Sequence, residues 1–277
     1  MTESVTTSNP DHYCVIGNPV AHSKSPDIHA AFARQTGQHI AYGRRLAPLD
    51  GFADVVRDLI AKGYKGANVT VPFKLEAASL ATRLEERARA AGAVNTLRFV
   101  DGEIIGDNTD GAGLVADIVQ NAGVALAGKR ILLLGAGGAA RGVMLPFLQQ
   151  GPSAIVVANR TRKTADALVA DFQDQVTRVS ACDFEDIAGS FDIVVNATSA
   201  SLTQELPPVP SSAFTQATLA LDMMYGDAPT PFMVFAAKQG AATRDGFGML
   251  VEQAAEAFLV WRGVRPDTRE LLTTLRA

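Results

Sequence analysis

The sequence predicts an α/β protein built from two domains. Its 277 residues exceed the roughly 150 residues expected of one domain. Continuous apolar runs at 131–134 and 154–158 are typical of strands buried on both faces of a parallel sheet. A helical segment lies between the two runs, and the three segments together have the roughly 30 residues of a βαβ unit. We therefore expect a parallel sheet covered by helices in the second half of the chain.

Composition and charge exclude several functional classes. A hydrophobic content of 47% and a charged content of 19% are ordinary for globular proteins. The net charge of −4 gives no support for binding to nucleic acid or to a membrane surface. Cys14 and Cys182 lie far apart, which predicts reduced thiols in a cytoplasmic protein. Residues 1–12 are predicted to be a flexible polar tail, and no membrane helix or metal site is predicted.

The first predicted strand, Tyr13–Gly17, leads into a loop rich in hydroxyl groups. Pro26 suits the first turn of a helix predicted over Asp27–Thr36. Ser23 and Ser25 precede this helix, where a hydroxyl can either cap the helix or bind a carboxylate. Capping and binding are about equally favoured for Ser25.

The next predicted elements alternate between strands and helices. Gly63 is typical of a residue that ends a helix, and Asp101-Gly102 is typical of a tight hairpin turn. These elements are the strand Ile40–Leu46, the helix Phe52–Lys62, the strand Gly66–Lys74, the helix Leu75–Ala91, the hairpin strands Leu97–Val100 and Glu103–Ile105, and the helix Ala112–Ala122.

Two charged residues in this region are candidates for chemistry. Lys74 follows a strand end, which is where α/β sheets bind ligands, although a surface lysine is the commoner case. Asp110 lies in a polar loop before a helix, so capping of that helix is the alternative to a functional role.

A glycine-rich turn follows the apolar run 131–134. Gly135, Gly137 and Ala140 form the pattern G-x-G-x-x-A, and a helix begins directly afterwards. Free N–H groups and the positive end of the helix dipole suit a pyrophosphate. A glycine turn without a ligand remains the alternative.

The second strand of the βαβ unit ends in a basic segment. Asn159 stands where enzymes that bind NAD usually carry an acidic residue for the ribose, and Arg160, Arg162 and Lys163 follow. These cations could pair with a 2′-phosphate, which favours NADP over NAD. A solvated basic loop is the alternative interpretation.

The remaining elements continue the α/β pattern to the end of the chain. Glycines at Gly123–Gly128 and Gly246–Gly248 suit hinges where the chain crosses between domains. The predicted elements are the strands Phe191–Ser199 and Leu219–Tyr225, the rigid loop Pro207–Pro210, the helix Thr230–Gln239 and a long apolar helix that ends at Arg262.

Several segments together resemble the shikimate dehydrogenase family. The resemblance runs from Tyr13 to about Pro266, and eight motifs in one order are far more specific than a single motif. The motifs are Gly17–Pro26, Asn68–Lys74, Gly92–Thr96, Asp107–Gly111, Gly135–Arg141, Asn159–Thr161, Asn196–Ser199 and Gly248–Ala255.

This resemblance implies reversible transfer of hydride between NADPH and 3-dehydroshikimate, which gives shikimate. It also implies a substrate domain with a mixed sheet, formed by residues 13–112 and 249–277. Residues 113–248 are then a Rossmann-type NADP domain, and the active site lies in the cleft between the two domains. We expect no nucleic-acid partner, and a monomer or homodimer.

The resemblance also implies roles for individual residues. Lys74 is the acid/base and Asp110 its catalytic partner, while Ser23, Ser25 and Tyr225 meet the substrate carboxylate. Ring hydroxyls are bound by Thr70, Asn95, Asp110 and Gln253. Cofactor contacts are implied for Gly135, Ala136, Gly137, Gly138, Ala139, Asn159, Arg160, Thr161, Lys163, Thr198, Met223, Gly246 and Met249.

Two departures from the family pattern leave cofactor contacts open. Thr164 stands where a second basic residue is often found, so either Arg162 or Lys163 could assist Arg160. Ala200-Ser201-Leu202 follows Ser199 where a glycine is usual. Two alternatives remain, namely a quinate/shikimate dehydrogenase that prefers NAD and a catalytically silent nucleotide-binding paralogue.

Overall fold

The computed structural model describes residues 9–172 and 179–275, and it contains two six-stranded sheets flanked by helices. Residues 1–8 of the predicted tail lie outside this description. The first strand begins at Asp11, inside the predicted tail, because Asp11 pairs with Ile40 of the neighbouring strand. Asp11 also accepts a hydrogen bond of 2.5 Å from Arg262. The α/β class is confirmed.

The first sheet is mixed, as expected. Its strand order is β2-β1-β3-β5-β6-β4, with β5 antiparallel to both β3 and β6 and the other pairs parallel. The elements are β1 (Asp11–Gly17), α1 (Ser25–Thr36), β2 (Ile40–Leu46), α2 (Phe52–Ala61), β3 (Gly66–Val69), α3 (Lys74–Leu80), β4 (Arg83–Leu84), α4 (Glu86–Ala91), β5 (Thr96–Val100) and β6 (Glu103–Asp107).

The helix predicted over Leu75–Ala91 is wrong as one continuous element. Ala81 is extended, and Arg83–Leu84 pair with β6, which leaves two short helices, α3 and α4. Pairing with an open sheet edge satisfies backbone groups that a helical pattern alone would assign to a helix. The strand predicted over Gly66–Lys74 is also too long, because β3 ends at Val69 and Lys74 begins α3.

The second sheet is parallel throughout. Its order, β9-β8-β7-β10-β11-β12, corresponds to the Rossmann order 3-2-1-4-5-6. Besides three short 3-10 helices, the remaining elements are α5 (Asp110–Ala116), a π-helical turn (Asp117–Asn121), β7 (Arg130–Leu134), α6 (Gly138–Gln149), β8 (Ala154–Ala158), α7 (Arg162–Ala170), β9 (Val179–Cys182), β10 (Ile193–Asn196), β11 (Leu219–Asp222), α8 (Pro231–Lys238), β12 (Ala242–Arg244), α9 (Phe247–Arg262) and α10 (Arg269–Thr274).

Burial on both faces explains the continuous apolar runs in the second sheet. Ile131 and Leu133 contribute to one buried cluster, together with Phe147. Leu132 and Leu134 contribute to the opposite cluster, together with Phe232 and other residues. Alternate residues of one strand therefore face two different apolar layers, so a polar residue is excluded from both sides.

Helix α9 brings the end of the chain back to the first sheet. Phe258 on α9 packs with Phe32 of α1, and Trp261 donates a 3.0 Å hydrogen bond to the carbonyl of Leu97 in β5. Near the start of α9, Arg244 of β12 pairs with the fully buried Asp117 at 2.6 Å. Across residues 9–172 and 179–275, no helix is long and apolar enough to cross a membrane.

Candidate active site

A cavity of about 350 Å³ lies beyond the carboxyl ends of β1 and β3. Each substrate-binding or catalytic residue implied by the family resemblance lines it, and so do three of the cofactor residues. These are Ser23, Ser25, Thr70, Lys74, Asn95, Asp110, Tyr225 and Gln253, with Met223, Gly246 and Met249. The fold therefore brings together side chains that are up to 230 residues apart in the chain.

Lys74 and Asp110 form an ion pair in this cavity, with Nζ 2.6 Å from Oδ2. Each is the first residue of its helix, Lys74 in α3 and Asp110 in α5. Phe73 is buried and stacks on Phe52 at 5.0 Å, which anchors the backbone beside Lys74. The side chains of Lys74 and Asp110 are 32% and 17% exposed, so a ligand can reach both. Thr109, the residue before α5, makes no side-chain cap, and the two carboxylate oxygens of Asp110 accept from Lys74 and Asn95.

Asn95 is the centre of the hydrogen-bond network beside this ion pair. Its Nδ2 donates to Oδ1 of Asp110 at 2.9 Å and to Oε1 of Gln253 at 3.3 Å. Its Oδ1 accepts from the backbone N–H of Thr109 at 2.8 Å. Asn95 is only 2% exposed, so these bonds hold its amide in one orientation.

The two serines lie on another wall of the cavity. Ser23 donates to Ser25 Oγ at 3.1 Å, and the backbone N–H of Ser25 points to Ser23 Oγ at 3.3 Å. Ser25 is the first residue of α1, and the residue before it makes no side-chain cap. Two hydroxyls at a helix start can donate to an anion, as the helix N–H groups also can.

Residues outside the predicted set also line the cavity, most importantly Asn68. Its Oδ1 accepts from the hydroxyl of Tyr42 at 2.7 Å, and its Nδ2 donates to Thr96 at 3.1 Å. Burial raises the pKa of the Tyr42 hydroxyl, which stays protonated and continues to donate. Its position in the predicted strand Gly66–Lys74, two residues before Thr70, was the available signal.

The glycine-rich turn has the geometry that a pyrophosphate needs. Gly135 has φ of +101° and lies against the carbonyl of Ala197, at a position where a side chain would be strained. Gly137 precedes the first residue of α6, Gly138, and a Cβ on either glycine would meet no described atom within 4 Å. The start of α6 therefore leaves room for a ligand beside these glycines, and the first N–H groups of a helix lack partners within the helix. Ala136 is buried behind the turn, and Ala139 is exposed.

The basic segment after β8 separates its cations into two groups. Arg162 is paired with Asp166 at 2.8 Å within α7, and Asn159 donates to the carbonyl of Thr161 at 3.0 Å. Arg160 and Lys163 are exposed, and within residues 9–172 and 179–275 neither has an acidic side chain within 4.0 Å. These two cations, rather than Arg162, are therefore available to a 2′-phosphate.

The nicotinamide side is shaped by a close approach of two loops. A Cβ on Gly246 would lie 2.1 Å from the carbonyl oxygen of Met223, so only glycine allows this contact. Thr198 donates to Asn196 at 2.7 Å, which fixes the loop after β10. In that loop, where a glycine is usual, Ser201 donates at 2.6 Å to the buried Asp222.

Family models match most of the chain in three segments. Residues 15–97 match the shikimate dehydrogenase substrate binding domain, and residues 116–206 match shikimate / quinate 5-dehydrogenase. Residues 246–276 match the shikimate 5′-dehydrogenase C-terminal domain. The chain belongs to the shikimate dehydrogenase family. The resemblance on which the sequence interpretation depended is therefore confirmed.

Individual proteins resemble the chain along nearly its whole length. It is 63% identical to the shikimate dehydrogenase (NADP(+)) of Janthinobacterium sp. (strain Marseille), over 96% of this chain and 97% of the relative. Among solved structures, an Ael1 enzyme from Pseudomonas putida is 51% identical with a TM-score of 0.93, over 96% of this chain and 98% of that one. Shikimate 5-dehydrogenase from Thermus thermophilus, in complex with NADP(H) and shikimate, is 31% identical with a TM-score of 0.83, over 94% and 96%.

Proposed function

We propose that the chain is an oxidoreductase that reversibly reduces 3-dehydroshikimate to shikimate with NADPH. The observation that carries this proposal is the Lys74–Asp110 ion pair, which shares one cavity with the amides of Asn95 and Gln253 and with the two serines. Curated relatives 56–63% identical to the chain bear the name shikimate dehydrogenase (NADP(+)). The reaction belongs to the shikimate pathway, which leads to chorismate and the aromatic amino acids.

The domain division proposed for this reaction follows the two sheets. Residues 13–112 and 249–277 form the substrate domain, and residues 113–248 form the NADP domain. The cavity is lined from both parts, by Lys74 and Ser23 on one side and by Met223 and Tyr225 on the other. Closure of the two domains would exclude water from the reacting atoms.

The substrate is proposed to lie between the serine wall and the Asn95 network. Ser23, Ser25 and Tyr225 donate to the carboxylate, and Thr70, Asn95, Asp110 and Gln253 bind the ring hydroxyls. Buried polar groups that lose a partner are costly, so a ligand without these hydroxyls would bind weakly. The substrate is thus a small polyhydroxylated carboxylic acid.

Lys74 is proposed to provide the proton for the ketone oxygen during reduction. Negative charge develops on this oxygen as it is reduced, and the Lys74 ammonium donates a hydrogen bond and then the proton. Asp110 holds the ammonium in place through the 2.6 Å contact. In the reverse direction, the Lys74 amine accepts the proton from the hydroxyl of shikimate.

NADP fits the residues that the structure offers for a cofactor. Bound there, NADPH would supply the hydride to the carbonyl carbon. The open glycine turn, Gly135–Ala139, would hold the pyrophosphate, and Asn159, Arg160, Thr161 and Lys163 would hold the 2′-phosphate. Thr198, Met223, Gly246 and Met249 would surround the nicotinamide. Relatives named for NADP(+) also disfavour the NAD-preferring quinate/shikimate alternative.

A spectrophotometric assay tests the proposed function directly. The protein is mixed with shikimate and NADP⁺, and formation of NADPH is followed by its absorbance; NAD⁺ and quinate serve as alternative reactants. We expect turnover with shikimate and NADP⁺, and much weaker turnover with NAD⁺. Binding of NADP⁺ without turnover would instead support the silent paralogue. We propose that the enzyme acts in the cytoplasm. We also propose that it is a monomer or homodimer, and size-exclusion chromatography with light scattering would measure this oligomeric state.

A further inference from the structure

Arg44 lies in β2, outside the residue set implied by the family resemblance. β2 runs parallel to β1, and Arg44 pairs in register with Val15, which lines the cavity. The Arg44 side chain is 39% exposed, and it reaches across the end of β1 to the serine loop, Val20–Ser25.

Two nitrogens of the Arg44 guanidinium bind one main-chain atom of this loop. Nε and Nη2 donate to the carbonyl oxygen of Ser23, at 3.1 Å and 2.6 Å. Nη2 is also 3.9 Å from Oδ2 of Asp27, whose side chain is 69% exposed. The shorter contact is therefore to an uncharged carbonyl of the serine loop, rather than to the only carboxylate recorded near this arginine in the described parts of the chain.

The hydrogen bonds that the serine loop makes within itself and to Leu275 are longer. Ser23 donates its N–H to Val20 at 3.2 Å, and its hydroxyl contacts Ser25. Lys24 donates to the carbonyl of Leu275 at 3.3 Å, near the end of the chain. The 2.6 Å bond from Arg44 is the shortest of these, and Arg44 comes from a regular strand of the sheet. A strand positions a side chain more exactly than a loop does.

The position of Arg44 also affects the electrostatic potential at the two serines. Serine hydroxyls can donate to a carboxylate, but they carry no charge of their own. The Arg44 guanidinium contacts the Ser23 carbonyl, and its positive charge favours an anion near the two serines.

The geometry points to Arg44 as a positioning residue of the carboxylate subsite, which acts by holding the main chain of Ser23. Its two donating nitrogens fix the position of the Ser23 carbonyl, and this orients the hydroxyls of Ser23 and Ser25 toward the substrate carboxylate. The inference rests on the proposed function, because it assigns the serines to that carboxylate. Arg44 itself is not expected to touch the substrate.

Steady-state kinetics on Arg44→Met and Arg44→Lys test this inference. In Arg44→Met we expect the shikimate KM to rise about tenfold, because the loss of one hydrogen bond from a charged donor has an effect of about this size. The kcat and the NADP⁺ KM should stay within about twofold of the parent values. Arg44→Lys should give an intermediate KM, because an ammonium keeps the charge but lacks the fork. Arg45→Met is the matched control, since Arg45 lies next on the same strand and points to the opposite face.

A double-mutant cycle with Ser23→Ala shows whether Arg44 acts through Ser23. In the Ser23→Ala background, Arg44→Met should raise the shikimate KM by about threefold instead of tenfold, because one of the two oriented hydroxyls is already absent. Equal effects in both backgrounds would overturn the inference. So would a shikimate KM within twofold of the parent in Arg44→Met, or the same increase in Arg45→Met. An inactive parent enzyme would refute the proposed function instead, so the two failures are distinguishable.

Discussion

The substrate side and the cofactor side of the site are built in different ways. Around the substrate cavity, Asp110 contacts both Lys74 and Asn95. Around the expected 2′-phosphate, Arg160 and Lys163 are exposed, and no carboxylate within the described ranges pairs with them. One region is an interlocked, partly buried network, and the other is a pair of separate cations.

Solvent explains why this difference matters. Charged groups in a partly buried network interact strongly. They lose little conformational entropy when a ligand binds, since their hydrogen bonds to one another hold them in one geometry. Exposed arginine and lysine side chains are screened by salt and must be ordered by the ligand. We therefore expect substitutions in the network to affect the reaction itself, and substitutions in the basic segment to affect cofactor affinity and selectivity.

The largest effect is expected for Lys74→Met, which keeps the aliphatic length and removes the acid. General acid/base groups contribute about 10²–10⁴-fold, so kcat should fall by that factor while calorimetry shows shikimate binding largely retained. Lys62→Met, which removes an exposed lysine paired with Asp58, is the control and should leave kcat unchanged. A kcat within threefold of the parent in Lys74→Met would refute the acid/base role.

The next largest effect is expected for Arg160→Ala, on the cofactor side. Loss of a charge-assisted bond of roughly 1.5–3 kcal/mol should raise the NADP⁺ KM by about tenfold to a hundredfold and leave NAD⁺ turnover nearly unchanged. Lys163→Ala should have a smaller effect of the same kind. Arg162→Ala is the matched control, because Arg162 is already paired with Asp166, and its NADP⁺ KM should change less than that of Lys163→Ala. Equal losses with both cofactors would show that Arg160 is structural.

A third effect concerns stability on the substrate side. His29 is fully buried and stacks on Tyr42, and burial lowers the pKa of His29 to about 3, an effect that the Asn68 side chain partly opposes. The unfolded chain takes up this proton near pH 6.5, so stability falls as pH decreases from about 6.5 to 3. The slope from this one group is at most about 1.4 kcal/mol per pH unit.

Chemical denaturation at several pH values measures this slope. In His29→Phe the slope of the free energy of unfolding against pH, measured between pH 6.5 and 4.5, should decrease by up to about 1.4 kcal/mol per pH unit. This decrease corresponds to the uptake of one proton. His39→Gln, at an exposed histidine, should keep the parental slope. An identical slope in His29→Phe and the parent would show that His29 binds its proton equally in both states.

The smallest effect is expected for Ser23→Ala. One neutral hydrogen bond contributes about 0.5–1.5 kcal/mol, so the shikimate KM should rise about threefold to tenfold. The NADP⁺ KM should not change, and the melting temperature should change little, because the start of α1 loses only the 3.3 Å bond from the Ser25 N–H to Ser23 Oγ. A lower melting temperature with an unchanged shikimate KM would instead assign Ser23 a structural role.

Local sequence patterns were sufficient for much of this protein. The apolar runs of β7, β8 and β10 predict a parallel sheet because a strand covered on both faces has no position for a polar side chain. The glycines between Gly135 and Gly138 predict a tight turn, and the φ of +101° at Gly135 is a value that favours glycine. The sequence also contained the family motifs that name Lys74, Asp110 and the other site residues.

Other features were decided only by the tertiary structure. β4 interrupts a helical pattern because Arg83 and Leu84 find partners in β6, and β12 forms beside β11 although its three residues carry no strand signal of their own. Whether Arg162 or Lys163 is available depends on Asp166, and the role inferred for Arg44 depends on the carbonyl of Ser23, 21 residues away. The periodicity of apolar residues in a sequence indicates which face of a segment packs against an apolar layer. It does not report which distant hydrogen-bond or charge partner the folded chain will place beside a given side chain.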